Sequence, residues 1–425
     1  MSLLDTLLAA PLPEDALLPL RRAGQQRLRA LGLPGARDEA WRYTPLRALQ
    51  ARRFEDSDRL PAGGQDLAAS LLERLAAAGP RLVFVNGELR ANLSDLARLP
   101  TGLTVSPGLP GSDPTPERSD RANAFVAANL ALAGQGARIE VAAGARISEP
   151  LSVFWIDQAC GRDRLGHARI EIALGAGSML HLEERRLADP AGSPDAPLYN
   201  RVAEVAVAAD AQFFHRLFSA AAEHASVIAH SHYRLAERAA VEHFELCPGA
   251  ALYRHALDVA LAGAGARFRS GGVQAPSARR HAEIAIDVQH QAEDSSCELV
   301  WRGLAEGRGR LAFGGRLVIA AGADGSDARL SNKNLLLSAD AEIDTRPVLE
   351  IHADEVKAAH GATVGSLDET ALFYLRSRGL PEPAARALLT RAFAFEALAV
   401  VEDATMRARI EAELPELLPG LAELG

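Results

Sequence analysis

The sequence predicts a mainly β protein, with a β-helix core flanked by N-terminal and C-terminal α-helical regions. Three observations carry this expectation. From Ala137 to about Gly365 short runs alternate with period two, the side-chain period of a strand. Five of these runs repeat one theme: Ile139-Glu-Val-Ala-Ala-Gly-Ala145, Ile170-Glu-Ile-Ala-Leu-Gly-Ala176, Val205-Ala-Val-Ala-Ala-Asp-Ala211, Leu257-Asp-Val-Ala-Leu-Ala-Gly263 and Leu317-Val-Ile-Ala-Ala-Gly-Ala323. Each enters a turn of Gly, Ala or Asp, at irregular spacing. Strands that cannot bury their apolar face alone must stack, as in a solenoid. The turns lack hairpin dipeptides such as Asn-Gly, which favours a β-helix over a sandwich or jelly roll. Outside this body the apolar spacing changes to that of helices. The chain therefore divides into an N-terminal helical region with a short strand and loop (1–135), a parallel β-helix core (136–365) and a C-terminal helical domain (366–425).

In the first region helices are expected over Ala16–Leu31 and Asp66–Ala78, separated by Pro- and Gly-rich turns. Between them Asp38-Glu-Ala-Trp-Arg-Tyr-Thr-Pro-Leu46 reads as an aromatic anchor that docks these helices. A strand at Arg81–Gly87, a loop from Thr101 to Asp120 and a helix from about Glu117 to Ala133 complete the region. At the other end Ser366-Leu-Asp-Glu369 has the spacing of a capping box. The helix it opens is expected to bury Leu367, Ala371, Leu372 and Leu375 and to stop at Gly379. A second helix, about Pro383 to Val401, presents Ala385, Leu388, Leu389, Phe393 and Leu398. A third runs from Ala404 toward Leu418, with Pro415 kinking or ending it.

Composition excludes several functions. The chain has 425 residues, 48% of them hydrophobic but only 5% aromatic, which suits a core of small stacked side chains rather than a large aromatic cofactor pocket. Lys333 and Lys357 are the only lysines, so the arginine excess reflects compositional bias. A net charge of -9 argues against nucleic acid or an anionic membrane as partner. Cys160, Cys247 and Cys297 lie far apart and form neither a disulfide framework nor a zinc motif, as expected of a cytoplasmic protein. The N-terminus is apolar without a basic start, and no run approaches ~18 apolar residues. There is no Gly-Lys dipeptide and hence no P-loop, no GxSxG elbow and no HExxH helix.

Candidate chemistry centres on the end of the body. Glu350-x-His352-x-Asp354 places three polar side chains on the outer face of a strand, with Leu349, Ile351 and Ala353 inward. His360 stands in Ala-His-Gly-Ala-Thr, read as a turn in which Gly361 frees the backbone. A neutral imidazole there can donate a lone pair to iron. His230-x-His232 shares a strand face without a carboxylate at matching spacing. The cysteines lie in strand-like runs, where a thiol packs as a small hydrophobe, and Cys247 beside Pro248 is the least readily dismissed.

The Asp38–Leu46 run resembles the SufB/SufD family of the SUF iron-sulfur cluster assembly machinery. So does the longer stretch from about Asn332 to Gly379, where a polar strand, His-Gly and an amphipathic helix follow one another. His360-Gly-Ala-Thr favours the SufD branch over SufB. The resemblance implies a right-handed parallel β-helix and a non-catalytic scaffold subunit. It further implies pairing with a SufB-like protein through a β-helix edge and binding of a SufC-like ATPase through the C-terminal helices. Exposed sheet edges invite pairing, which makes a homodimer one form open to the isolated chain. The resemblance makes His360 the metal-site residue, contacting transient iron or a nascent iron-sulfur cluster shared with the partner and held in no stable form. Many SufD sequences carry Cys two residues before this histidine; here Ala358 stands there, so the thiolates must come from elsewhere. The competing reading is a β-helix carbohydrate-active lyase or hydrolase, which needs no helical tail and is usually secreted.

Overall fold

The computed structural model describes residues 2–35, 37–44, 46–56, 67–109, 111, 123–190, 192 and 194–417. Asp66, the start of the helix expected at Glu117, and Leu418 fall outside the described residues. Successive strands of the body alternate between two sheets, which makes a parallel β-helix. The first sheet runs Leu103–Pro107, Gln135–Val141, Arg164–Leu174, Leu198–Val207, Ser226–Leu235, Leu252–Leu261, His281–His290, Arg310–Ile319 and Glu342–Ile351, with Glu55–Asp56 beside Arg164–Leu174. The second runs Glu88–Leu89, Arg81–Val85, Arg146–Asp157, Met179–Ala188, Gln212–Ala220, Ala240–Cys247, Arg267–Gln274, Ser296–Ala305, Asp327–Leu336 and Lys357–Gly365.

Because the pairing is in register, equivalent positions of successive coils stack into columns along the lumen. All five repeated runs fall in the first sheet. Their apolar positions share one column: Ile139, Ile172, Val205, Tyr233, Val259, Val288 and Leu317. Every member is buried, and each such aliphatic side chain contributes about 1.5–3 kcal/mol relative to exposure. The turns obey an equally strict rule. Gly144, Gly177, Asp210, Arg238, Gly265, Asp294 and Gly325 all have positive φ. Each donates its backbone N–H to the carbonyl of the next coil's turn, Gly177 to Ala209 at 2.8 Å for example. The turn signal thus marks a left-handed residue at each of these passages from the first sheet to the second. A Cβ on Gly177 would meet nothing within 4 Å, so Gly177→Ala isolates the backbone term. It should cost about 1–2 kcal/mol, read from the denaturant midpoint; an unchanged midpoint would refute the rule.

Helices cover the outer faces. The helix Leu18–Leu31 packs on Ala124–Leu132, an entirely buried segment that lies against the first sheet, with Asn129 Nδ2 donating to the carbonyls of Ala168 and Asn200. Buried Arg21 donates Nη1 to the carbonyls of Ala131 (3.1 Å) and Ala133 (2.8 Å), capping that helix's negative end. The anchor expected at Asp38–Leu46 is present in its described residues. Trp41 is buried against Phe125, and the Arg254 guanidinium lies 4.2 Å from its ring centroid. The helix Ala69–Ala77 covers the second sheet through Leu71 and Leu75. The loop expected from Thr101 contains the strand Leu103–Pro107, whose alternation is too short to stand out.

Several C-terminal expectations are corrected. The N-cap of the helix Glu369–Ser377 is Asp368, whose Oδ1 accepts from Thr370 N at 2.8 Å, and not Ser366. An Asp beside the helix start is as good an acceptor as a Ser two residues earlier, and it wins by proximity. The helix buries Leu367 and Leu372 as expected, while Ala371 and Leu375 are half-buried. The second helix ends at Phe395 and continues as a tighter turn over Glu396–Val400. It buries Ala385, Ala387, Thr390 and Ala394 and leaves Leu388 exposed, because small residues allow the closest approach to the wall. The third, Ala404–Leu417, continues two residues past Pro415.

The tail is bolted to the second sheet. Ala397, Leu398, Val400, Ile410 and Leu414 pack on Phe218, Phe244, Val273 and Val300. Gly271 permits this, since a Cβ there would fall 2.5 Å from Val400 Cγ2. Glu396 accepts from Arg302 and Lys333, and Glu413 from Arg185. No helix among the described residues is long and apolar enough to cross a membrane.

Candidate functional site

The two ends of the β-helix differ. At the first end each sheet is finished by an antiparallel strand, Leu103–Pro107 on Gln135–Val141 and Glu88–Leu89 on Arg81–Val85. At the far end the last strands of both sheets, Glu342–Ile351 and Lys357–Gly365, carry no further strand among the described residues. Leu349 and Ala353 pack on the lumen core. Ile351 pairs with fully buried Ile319 and so points inward by register, yet it is 44% exposed because no described residue covers the last coil.

His360 lies in this terminal strand, which corrects the expected His-Gly turn. Gly361 has no positive φ and pairs regularly with Ser331, so the strand passes through it without a bend. Register places His360 over buried Leu330, with Ala358 over Ala328 and Ala362 over Asn332. These three share the inward parity, and Ala358 packs on the lumen core. The imidazole thus sits at the open mouth of the lumen, exposed and without a hydrogen bond to the described residues. Beneath the mouth is a neutral polar floor. Asn334 Nδ2 donates to Asn332 Oδ1 at 2.7 Å, and Thr345 Oγ1 donates to the same oxygen at 2.8 Å. Glu350 faces outward, where it accepts from Arg316 at 2.8 and 2.7 Å. His352 and Asp354 are exposed beyond the strand. One imidazole over an amide floor, without a thiolate, is an incomplete metal site in its own right.

Deeper in the lumen lies a buried polar network that the sequence reading missed. Glu184 accepts from Trp155 Nε1 (2.9 Å), pairs with His215 Nε2 (2.9 Å) and forms an ion pair with Arg201. Burial acts to raise the Glu184 pKa, but the Arg201 charge and the His215 and Trp155 hydrogen bonds outweigh it and hold the carboxyl well below its ordinary range. His215 Nδ1 pairs with the Tyr233 hydroxyl at 2.7 Å, and burial lowers the pKa of that imidazole against the opposing pull of Glu184. One coil further His255 Nδ1 lies 2.7 Å from Glu245 Oε2, and the Tyr253 hydroxyl donates to Glu245 Oε1 at 2.8 Å. His215, His243, Ser270, Leu299, Leu330 and His360 occupy one lumen column. The available signal was this recurrence of polar residues at inward parity once per coil, visible only when the coil register is known.

The remaining candidates resolve into ordinary packing. His232 meets Glu204 at 3.0 Å and His230 meets Asp258 at 3.3 Å, so neighbouring coils supply the carboxylates that the local sequence lacks. Cys247 and Cys297 are buried, and burial pushes the Cys297 thiol up to about 12 and the Cys247 thiol well above its usual value. Cys160 lies in a loop rather than a strand, and Arg164 Nε donates to its sulfur at 2.8 Å.

Comparison with known proteins agrees with this architecture. The family model described as "SUF system FeS cluster assembly, SufBD core domain" matches residues 156–393, more than half of the chain. The chain belongs to the SufBD family. It is 29% identical over 405 residues to the iron-sulfur cluster assembly protein SufD of Escherichia coli (strain K12), covering 93% of this chain and 92% of that protein. A SufBD family protein of Synechocystis sp. (strain ATCC 27184 / PCC 6803 / Kazusa) is 28% identical over 428 residues, covering 93% and 90%. One from Mycobacterium tuberculosis (strain ATCC 25618 / H37Rv) is 26% identical over 395 residues, covering 91% and 89%. The SufBD match spans all but the first coils of the β-helix and reaches into the tail.

Proposed function

We propose that this SufBD-family chain is a non-catalytic scaffold subunit of SUF iron-sulfur assembly in the cytoplasm. It pairs through its open end with a SufB-like protein, and its His360 meets transient iron or the nascent cluster at that junction. The observation that carries the reading is the asymmetry of the two ends: one is finished by antiparallel strands, while at the other the described residues leave two sheet edges, Ile351 and Val364 (43% exposed) uncovered. Free edges of this kind invite strand pairing. Absent the partner, a second copy is expected to take the same place. His360 supplies one nitrogen ligand, and with Ala358 beside it the sulfur ligands come from the partner.

The tail offers the surface for a SufC-like ATPase. Phe373 (72% exposed) and Tyr374 (56%) stand out from the helix Glu369–Ser377, and Leu388 (40%) lies on the next helix. Large apolar side chains at this exposure suit a docking face. Removing the whole tail would be a poor test, because it uncovers Phe218, Phe244 and Val273. The test is co-purification of the tagged full chain from its own cytoplasm. Val364→Lys should lose the SufB-like protein and keep the ATPase, whereas Phe373→Asp with Tyr374→Asp should do the reverse. His360→Ala should keep both partners and lose cluster formation. Retention of both partners by all edge and tail variants, or normal cluster formation with His360→Ala, would sink the proposal.

A further inference from the structure

Independently of that reading, we propose that His243, Glu245 and His255 form an internal site for a divalent first-row transition metal that braces the two sheets across the lumen. His243 and Glu245 come from Ala240–Cys247 of the second sheet and His255 from Leu252–Leu261 of the first. All three side chains are fully buried, and their ligand atoms lie within 4.8 Å of one another. Glu245 Oε2 is 2.7 Å from His255 Nδ1 and 3.7 Å from His243 Nε2. Metal–nitrogen bonds of about 2.0–2.1 Å in a tetrahedral site put ligand atoms ~3.3 Å apart. Small side-chain rotations therefore reach it.

Two features are hard to explain without a cation. His243 Nε2 is buried, has no hydrogen-bond partner and points at the carboxylate; leaving such an atom unsatisfied costs about 1–3 kcal/mol. Glu245 also differs from Glu184, which has a guanidinium beside it. The hydrogen bonds to Glu245 come from a phenol and an imidazole. A buried carboxylate calls for positive charge, and a dication supplies it.

The surroundings are those of a metal centre. Each ligand has its own supporting partner on the side away from the shared point: Ser270 Oγ at 3.0 Å from His243 Nδ1, Ser231 Oγ at 2.9 Å from His255 Nε2, and Tyr253 on Glu245. Such outer contacts fix the imidazole tautomer with its lone pair toward the metal. Trp301 roofs the site, stacked 6.3 Å from His243, and fits only because Gly272 has no side chain: a Cβ there would lie 2.7 Å from the indole. Two imidazoles and one carboxylate suit Fe(II), Zn(II) or Co(II) rather than calcium or magnesium.

Because the site is enclosed, metal must enter as the chain folds, so the probe is Co(II) supplied during expression of the full chain. The expected result is purified protein that retains cobalt after dialysis, shows its visible d–d absorption and melts higher than protein from cobalt-free medium. His243→Gln should lower retained cobalt roughly tenfold or more, and Ser270→Ala, which keeps all three ligands, should weaken retention by about 10–100-fold. The serine variant decides the matter should the first fail to fold. Wild-type protein with background cobalt overturns the proposal, as does cobalt that survives Ser270→Ala unchanged or is lost with His360→Ala.

Discussion

Moving the chain from pH 7 to pH 5 is expected to remove a large part of its stability. Four buried histidines carry this effect. Burial depresses His167, His281 and His290 from 6.5 to about 4, and burial together with nearby His232, His255 and arginine charges depresses His230 to about 3. In the unfolded chain these imidazoles take up protons below about 6.5, while in the fold they stay neutral down to about 4. The unfolded state therefore binds more protons throughout that window, and stability falls as the pH drops through it. One such histidine costs about 2 kcal/mol at pH 5, and four together approach the whole stability of a typical domain. Among the shifted histidines only His232 acts in the opposite direction. Burial lowers the His232 pKa, but the Glu204 hydrogen bond and charge outweigh it and raise it, so its contribution is fully present at pH 5. Guanidinium midpoints at pH 7, 6 and 5 check the balance. A midpoint that is flat over this range would mean that the buried histidines are charged in the fold.

The β-helix was legible because its first sheet advertises itself. Ile139, Ile172, Val205, Val259 and Leu317 recur at inward parity and each run holds a left-handed turn residue or is followed by one within two residues, so both stacking and coil boundary are written locally. The second sheet hides the same geometry. Its inward column contains His215, His243 and Ser270, which break the apolar alternation that marks a strand. For the same reason the lumen network was invisible: Glu184 and Arg201, or Glu245 and His255, meet only across coils and sheets. His360 was found by resemblance, and its local structure was misread. His-Gly suggests a turn when only neighbours in sequence are considered, but pairing with Leu330 and Ser331 keeps the strand straight. The expected N-cap lay two residues too early because Ser366 and Asp368 are both competent acceptors, and Asp368 stands nearer the first helical amides.

Replacing Glu184 by Leu should be among the most damaging single substitutions in the chain. It strands the Arg201 guanidinium, nearly excluded from water, and orphans the Trp155 donor and one nitrogen of His215. Breaking a buried pair in this way typically costs about 3–5 kcal/mol. Glu184→Met combined with Arg201→Met removes both charges and should recover most of that loss, to within about 1–2 kcal/mol of the parent. A double-mutant cycle of Glu184→Met, Arg201→Met and the two together, read from denaturant midpoints at pH 7.5, measures the coupling. A cost below about 1 kcal/mol for Glu184→Leu alone would show that Arg201 reaches water in the variant. The polar lumen also bears on how the solenoid keeps its register. A lumen of Ala, Val and Leu looks much the same from one coil to the next, so apolar burial alone barely penalises a slip. With the network in place, a slip of Glu184's strand by one coil sets its carboxylate in the place of Leu217 in the same column and takes it away from Arg201. The buried network around Glu184 thus makes the stacking unique, and the double variant should be nearly as stable as the parent while unfolding with a broader transition.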